Sequence, residues 1–166
     1  MSRAGFSNYT IFAPGSLSDE SRRNKRRLWH VDEPLQEARF EDLRLNLLAL
    51  VLLSDVTRPG DGTAFIEGSA QEVARRIAAS GGCLDLSNEG GQAQDIATAL
   101  GTRSEVVGRR GDVFLLHPWT VHAAGQGLAG DIRILANPNL LGRDAPYRPG
   151  PPRCPVEALI HEALGQ

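Results

Sequence analysis

Short apolar or alternating runs, each stopped by glycine or proline, make up most of the chain, whereas three stretches switch to helical spacing. Strand side chains alternate between faces with period two and helical ones recur every three or four positions, so the first kind predicts strands and the second helices. Tyr9 to Ala13 reads as a strand ended by Pro14-Gly15, and the polar, charged Ser16 to Arg27 as a loop. Leu28 to Asp32 resumes as strand, and Glu33 to Asp42, with Pro34 near its start, should be a loop over the mouth of whatever that strand carries. Leu45 to Leu53 is apolar on both faces, which suits a strand buried from both sides, although its leucines suit a helix equally well.

The turn cluster Arg58-Pro59-Gly60-Asp61-Gly62 leads into a strand over Thr63 to Ile66. Ser69 and Glu72 form a capping box, and the spacing of Val73 with Ile77 and of Ala74 with Ala78 predicts a helix that Gly81-Gly82 ends. A second short helix is expected over Gln92 to Leu100, closed by Gly101. Val106-Val107, Val113 to Leu116, Trp119 to Ala123 and Ile132 to Ala136 then read as strands separated by Gly108, Gly111 and the Gly125 to Gly130 stretch. Val156, Leu159, Ile160, Ala163 and Leu164 form one apolar stripe of a C-terminal helix.

Eighteen glycines and ten prolines favour a strand-rich fold over a helix bundle. The order of elements is consistent with a mainly β jelly-roll with a few packed helices, a choice that composition alone does not make. At 166 residues, 41% hydrophobic and net charge −2, residues 1–166 suit a single domain with no electrostatic commitment to nucleic acid. The two cysteines, Cys83 and Cys154, lack CxxC spacing, so neither a disulfide framework nor a thiolate zinc site is indicated, and the cytoplasm is the expected compartment. The longest apolar run, Leu43 to Leu53, carries Arg44 and Asn46 and is too short to cross a bilayer, and the N-terminus lacks a signal-peptide apolar core. No membrane partner is expected.

Candidate chemistry starts at His30-Val31-Asp32. On a strand, residues two apart emerge on one face roughly 6.6 Å from each other, so an imidazole and a carboxylate point together. A second histidine from a neighbouring strand would complete the 2-His-1-carboxylate facial triad, which leaves positions on non-haem Fe(II) open. His122 is the candidate, in competition with His117. These two are five apart, so on one continuous strand they face opposite sides and only one can join the pair.

A set of strings then carries a resemblance. Trp29-His30-Val31-Asp32, Leu52-Leu53-Ser54-Asp55, Gly60-Asp61-Gly62-Thr63, the segment Gly111 to His122 with His117-Pro118-Trp119-Thr120-Val121-His122 at its end, Arg133 to Pro138, Pro155-Val156-Glu157 and Ala163-Leu164-Gly165 all take part. Together they resemble the phytanoyl-CoA dioxygenase-like branch of the Fe(II)/2-oxoglutarate oxygenases over most of residues 28 to 166. In that family an arginine that binds the cosubstrate follows the distal histidine by eleven residues, the separation of His122 and Arg133. The resemblance implies a double-stranded β-helix of the cupin-like kind, with His30, Asp32 and His122 as ligands of Fe(II). It further implies Arg133 as partner of the far carboxylate of 2-oxoglutarate, and O2 as co-reactant. A planar, always-charged guanidinium suits a buried carboxylate.

The family pattern also selects His122 over His117, which is left as a hydrogen-bonded histidine beside Pro118. Strand alternation puts Leu135 and Asn137 on the side of Arg133, making Asn137 a pocket candidate, and Thr63 is another, unless it hydrogen-bonds within its turn. The alternative for Arg133 is to snorkel to solvent. Trp29 and Trp119 are expected in the core or as a substrate wall, and His161 is given no chemistry. The basic run Arg22 to Arg27, beside Asp19 and Glu20, reads as a solvated loop.

Two departures stand out. Where the family often has a hydroxyl residue after the distal histidine, this chain has Ala123-Ala124-Gly125, and only 29 residues precede His30 where members carry a longer N-terminal part. The reading of a compact or truncated member stays open beside one in which a second copy, in a homodimer, supplies the cover. The expected activity is oxidation or hydroxylation of a small organic substrate coupled to decarboxylation of 2-oxoglutarate to succinate. A non-catalytic metal- or small-molecule-binding jelly-roll module is the alternative.

Overall fold

The strand-or-helix ambiguity at Leu45 to Leu53 resolves as strand. The computed structural model describes residues 9–12, 28–32, 36–43, 45–57, 60–87, 91–125, 133–141 and 147–166, so the loop expected over Ser16 to Arg27 lies outside it. Within these residues the order is β1 (Tyr9–Phe12), β2 (Glu37–Ala38), β3 (Leu45–Leu52), β4 (Ala64–Ile66), α1 (Ser69–Ala79), β5 (Leu84–Asp85), α2 (Ala93–Leu100), β6 (Arg103–Glu105), β7 (Val113–Leu116), β8 (His122–Ala123), β9 (Arg133–Ala136), β10 (Asn139–Leu141) and α3 (Pro155–Leu164). The strands form three antiparallel sheets: β1, β9, β3 and β10 with β7 also on β3; β6, β4 and β8; and the pair β2 and β5.

β3 is central because β7 and β10 both pair with Leu48, and β7 and β9 both pair with Val51, which places partners along both of its edges. Directly opposed residues of an antiparallel pair share a face. Leu48 with Leu116, Leu50 with Phe114 and Leu52 with Leu135 therefore line one side of the five-stranded sheet. There Leu50, Leu52, Val56, Val106 and Leu135 form a buried cluster with Phe65 of β4 against it. Ala64 and Ile66, on the other face of β4, join a larger core with Val73, Ile77, Ile96, Val156 and Ile160 of the three helices. The three-stranded sheet thus has the five-stranded sheet on one side and the helices on the other. The strands are consistent with the mainly β expectation, but the architecture is mixed, and the helices supply more of the core than a few packed additions would.

Several local expectations are corrected. The capping box is absent: Gly68, at φ 75°, precedes α1 and no side chain caps it. Ser69 Oγ instead donates to the Ile66 carbonyl and accepts from the Val121 N–H, binding the helix to the strands. Val106-Val107 is not strand; its polar neighbour β6 is, which an edge position next to β4 permits because only one side of the strand is paired. Of Trp119 to Ala123 only β8 is strand, the start being a turn closed by Thr120 N–H to the His117 carbonyl at 2.9 Å. Leu28 to Asp32 makes a single bridge rather than a full strand. The expected loop over Glu33 to Asp42 contains β2.

Candidate metal centre

His30 is the residue of that bridge. Its N–H donates to the His122 carbonyl at 3.0 Å and its carbonyl accepts the His122 N–H at 2.9 Å, so the two histidines are directly opposed and share a face. His122 also pairs with Phe65, which points toward the five-stranded sheet. Alternation sends Trp29, Val31, Val121 and Ala123 the other way, into the helix-side core, where all four are buried. Apolar residues on one face thus hold His30, Asp32 and His122 on the other.

The three side chains converge. Asp32 Oδ1 lies 3.2 Å from His122 Nε2 and 3.7 Å from His30 Nε2, and the two rings sit 4.6 Å apart between centroids. Each Nδ1 lies 2.9 Å from the backbone carbonyl two residues upstream, Leu28 for His30 and Thr120 for His122. A carbonyl only accepts, so Nδ1 carries the proton, and in the neutral ring Nε2 presents its lone pair to the cluster. One donor atom from each residue falls within 4.8 Å of the other two. A metal about 2.1 Å from each of three adjacent octahedral positions needs donors roughly 3 Å apart; Asp32 and His122 already stand near that spacing, and His30 would have to move closer to share a divalent cation with them. Burial and the neighbouring His122 hold the His30 imidazole below its ordinary value, which favours the neutral, ligating form. Burial pushes the Asp32 carboxyl up, but hydrogen bonding and charge from His122 when its Nε2 also carries a proton, together with the Asn137 amide, outweigh it and leave Asp32 more acidic than usual; a bound cation would take the place of that Nε2 proton.

Asn137 reaches the centre from the opposite sheet, donating from Nδ2 to Asp32 Oδ2 at 2.8 Å. Expected as a pocket residue, it bonds the carboxylate of a candidate ligand. Arg133, on the same face of β9, is only 5% exposed, so it does not snorkel to solvent. Its Nη1 donates to the Asp61 carbonyl, and burial lowers its pKa to about 10 against the opposing pull of Asp61 and Glu105. Gly125 lies so close to Asp61 that a Cβ there would collide with the same carbonyl. This contact accounts for a glycine where a larger residue would push the Asp61 turn away. Thr63 is buried just ahead of β4, and its carbonyl accepts the Val106 N–H.

His117 has both ring nitrogens engaged. Nδ1 accepts from the Trp119 N–H at 3.0 Å and Nε2 donates to the Val156 carbonyl at 3.3 Å, tying the turn before β8 to the start of α3. Burial pushes its pKa down to about 4. An open groove of about 290 Å³ runs past His117, Thr120 and Gly68, but none of the three candidate ligands lines it. Sequence reasoning missed the carbonyls of Leu28 and Thr120, which set the histidine tautomers, and that of Asp61. Backbone acceptors leave no mark in residue type. No family model matches the chain, and no curated protein matches it significantly.

Proposed function

We propose that the chain is an Fe(II)- and 2-oxoglutarate-dependent dioxygenase of the phytanoyl-CoA dioxygenase-like kind, on a double-stranded β-helix whose layers are the five- and three-stranded sheets. The observation that carries the reading is the meeting of His30, Asp32 and His122, with Asp32 and His122 ninety residues apart in sequence, on one sheet face. Bound Fe(II) would supply the redox chemistry with O2 and the cosubstrate. The chain's own part is to present two neutral imidazoles and one ionised carboxylate, leaving three adjacent positions open. An aspartate as the third ligand favours hydroxylation over halogenation, which needs that place for a halide.

Arg133 would take the far carboxylate of 2-oxoglutarate. It lies four residues from Asn137 on the same face, roughly 13 Å along the strand. A long guanidinium side chain and a five-carbon diacid together span such a distance. Thr63, by alternation from Phe65, has its side chain on the face of His122 and is the proposed hydroxyl partner in place of the Ala123-Ala124-Gly125 segment. No helix among the described residues is long and apolar enough to cross a membrane, and Cys83 and Cys154 are free thiols, which suits the reducing cytoplasm this reading assigns.

One observation favours the second reading, a metal-binding module without turnover: Arg133 already donates to the Asp61 carbonyl. The two separate in one assay. Protein loaded with Fe(II) and given labelled 2-oxoglutarate should release labelled succinate even without a prime substrate; iron retained without succinate release selects the module.

A further inference from the structure

We infer that Asn137 is a positioning residue that keeps Asp32 a one-oxygen ligand; the inference rests on the proposed metal site. The two carboxylate oxygens of Asp32 are differentiated. Oδ1 faces both imidazole Nε2 atoms, whereas Oδ2 accepts the Asn137 amide hydrogen at 2.8 Å. A carboxylate that chelates through both oxygens fills two of six positions and, with two imidazoles, leaves two open. Through one oxygen it leaves three, enough for a two-toothed oxoacid and a further small molecule. The Asn137 hydrogen bond occupies the oxygen that chelation would need.

The backbone fixes the amide where it acts. Asn137 continues the alternation of Arg133 and Leu135, and Pro138 after it restricts its backbone to extended conformations. The Pro138 carbonyl accepts the Ala49 N–H at 3.4 Å, anchoring the segment to β3. A carboxylate accepts and does not donate, so the amide nitrogen must face Asp32. Asn137 Oδ1 is then buried without a hydrogen-bond partner among the described residues. Leucine would fill the same space with no unmet acceptor, so packing alone does not account for an amide here.

The test uses Co(II), whose visible bands report coordination number, with oxalate as a two-toothed probe, on the wild type, Asn137→Ala and Asn137→Leu. The leucine variant keeps the volume, and circular dichroism establishes which variants are folded before titration. The wild type should bind Co(II) and then oxalate. The folded variants should bind Co(II) about 10- to 100-fold more weakly, the usual effect of removing a group that orients a ligand. They should also show an altered Co(II) band and at least tenfold weaker oxalate binding. Variants with the wild-type band and unchanged oxalate affinity overturn the inference, whatever their Co(II) affinity, while leaving the metal site standing. A wild type that takes up no Co(II) overturns the metal site itself, and this inference with it.

Discussion

Each site histidine spends its Nδ1 proton on a carbonyl two residues upstream, and this fixes what the other nitrogen can do. Such bonding orients the ring and makes it a better donor. Arg133 is constrained differently, buried with its guanidinium on the Asp61 carbonyl. Replacing it by lysine keeps a charge but loses the two-toothed fork. On the proposed function, Arg133→Lys should therefore weaken 2-oxoglutarate binding by about tenfold or more while Fe(II) affinity stays unchanged, measured by calorimetry under anaerobic conditions. The three candidate ligands were legible because two of them lie two residues apart at one bridge and the third ends a recognisable string. The bond from Asn137 to Asp32 was not, since it joins different sheets across 105 residues, and alternation gives only the side on which Asn137 emerges.

At the scale of elements, Ser69 shows why the helix was read correctly and its start was not. The period of Val73, Ala74 and Ile77 fixed α1, and those residues are buried. A serine followed three residues later by a glutamate looks the same whether the hydroxyl caps its own helix or bonds elsewhere. Here Gly68 takes the left-handed turn and Glu72 pairs with Arg76 at 2.9 Å, which frees Ser69 Oγ to accept the Val121 N–H next to His122. Ser69→Ala would leave that buried N–H without its acceptor. The expected cost is about 1–3 kcal/mol of stability in urea denaturation, with weaker metal binding because β8 loses its anchor. The short strands β2, β5 and β10 escaped the sequence reading because two or three residues show no period.

For the molecule as a whole, the helix-side core and the site are coupled through the turn that His117 holds to α3. His117 is neutral in the fold, with its pKa lowered by burial to about 4 from an ordinary 6.5. The unfolded chain therefore binds the extra proton as pH falls below 6.5. Stability is full above that value and declines toward pH 4, by about 3 kcal/mol in total. His30, also lowered, adds to the decline in the same direction. His117→Gln should reduce the difference in urea midpoint between pH 7 and pH 4.5, whatever its effect at pH 7. The layered arrangement itself was only partly legible: turns and alternation pointed to short strands, but nothing in them tells which sheet faces the helices and which encloses the ligands. The claim on which the account stands is that this enclosed face holds iron through His30, Asp32 and His122. Anaerobic loading with Fe(II), removal of free metal and quantification should find about one iron per wild-type chain and almost none in a folded variant carrying His30→Ala and His122→Ala. A wild type that keeps no iron, or a double variant that keeps as much, would contradict it.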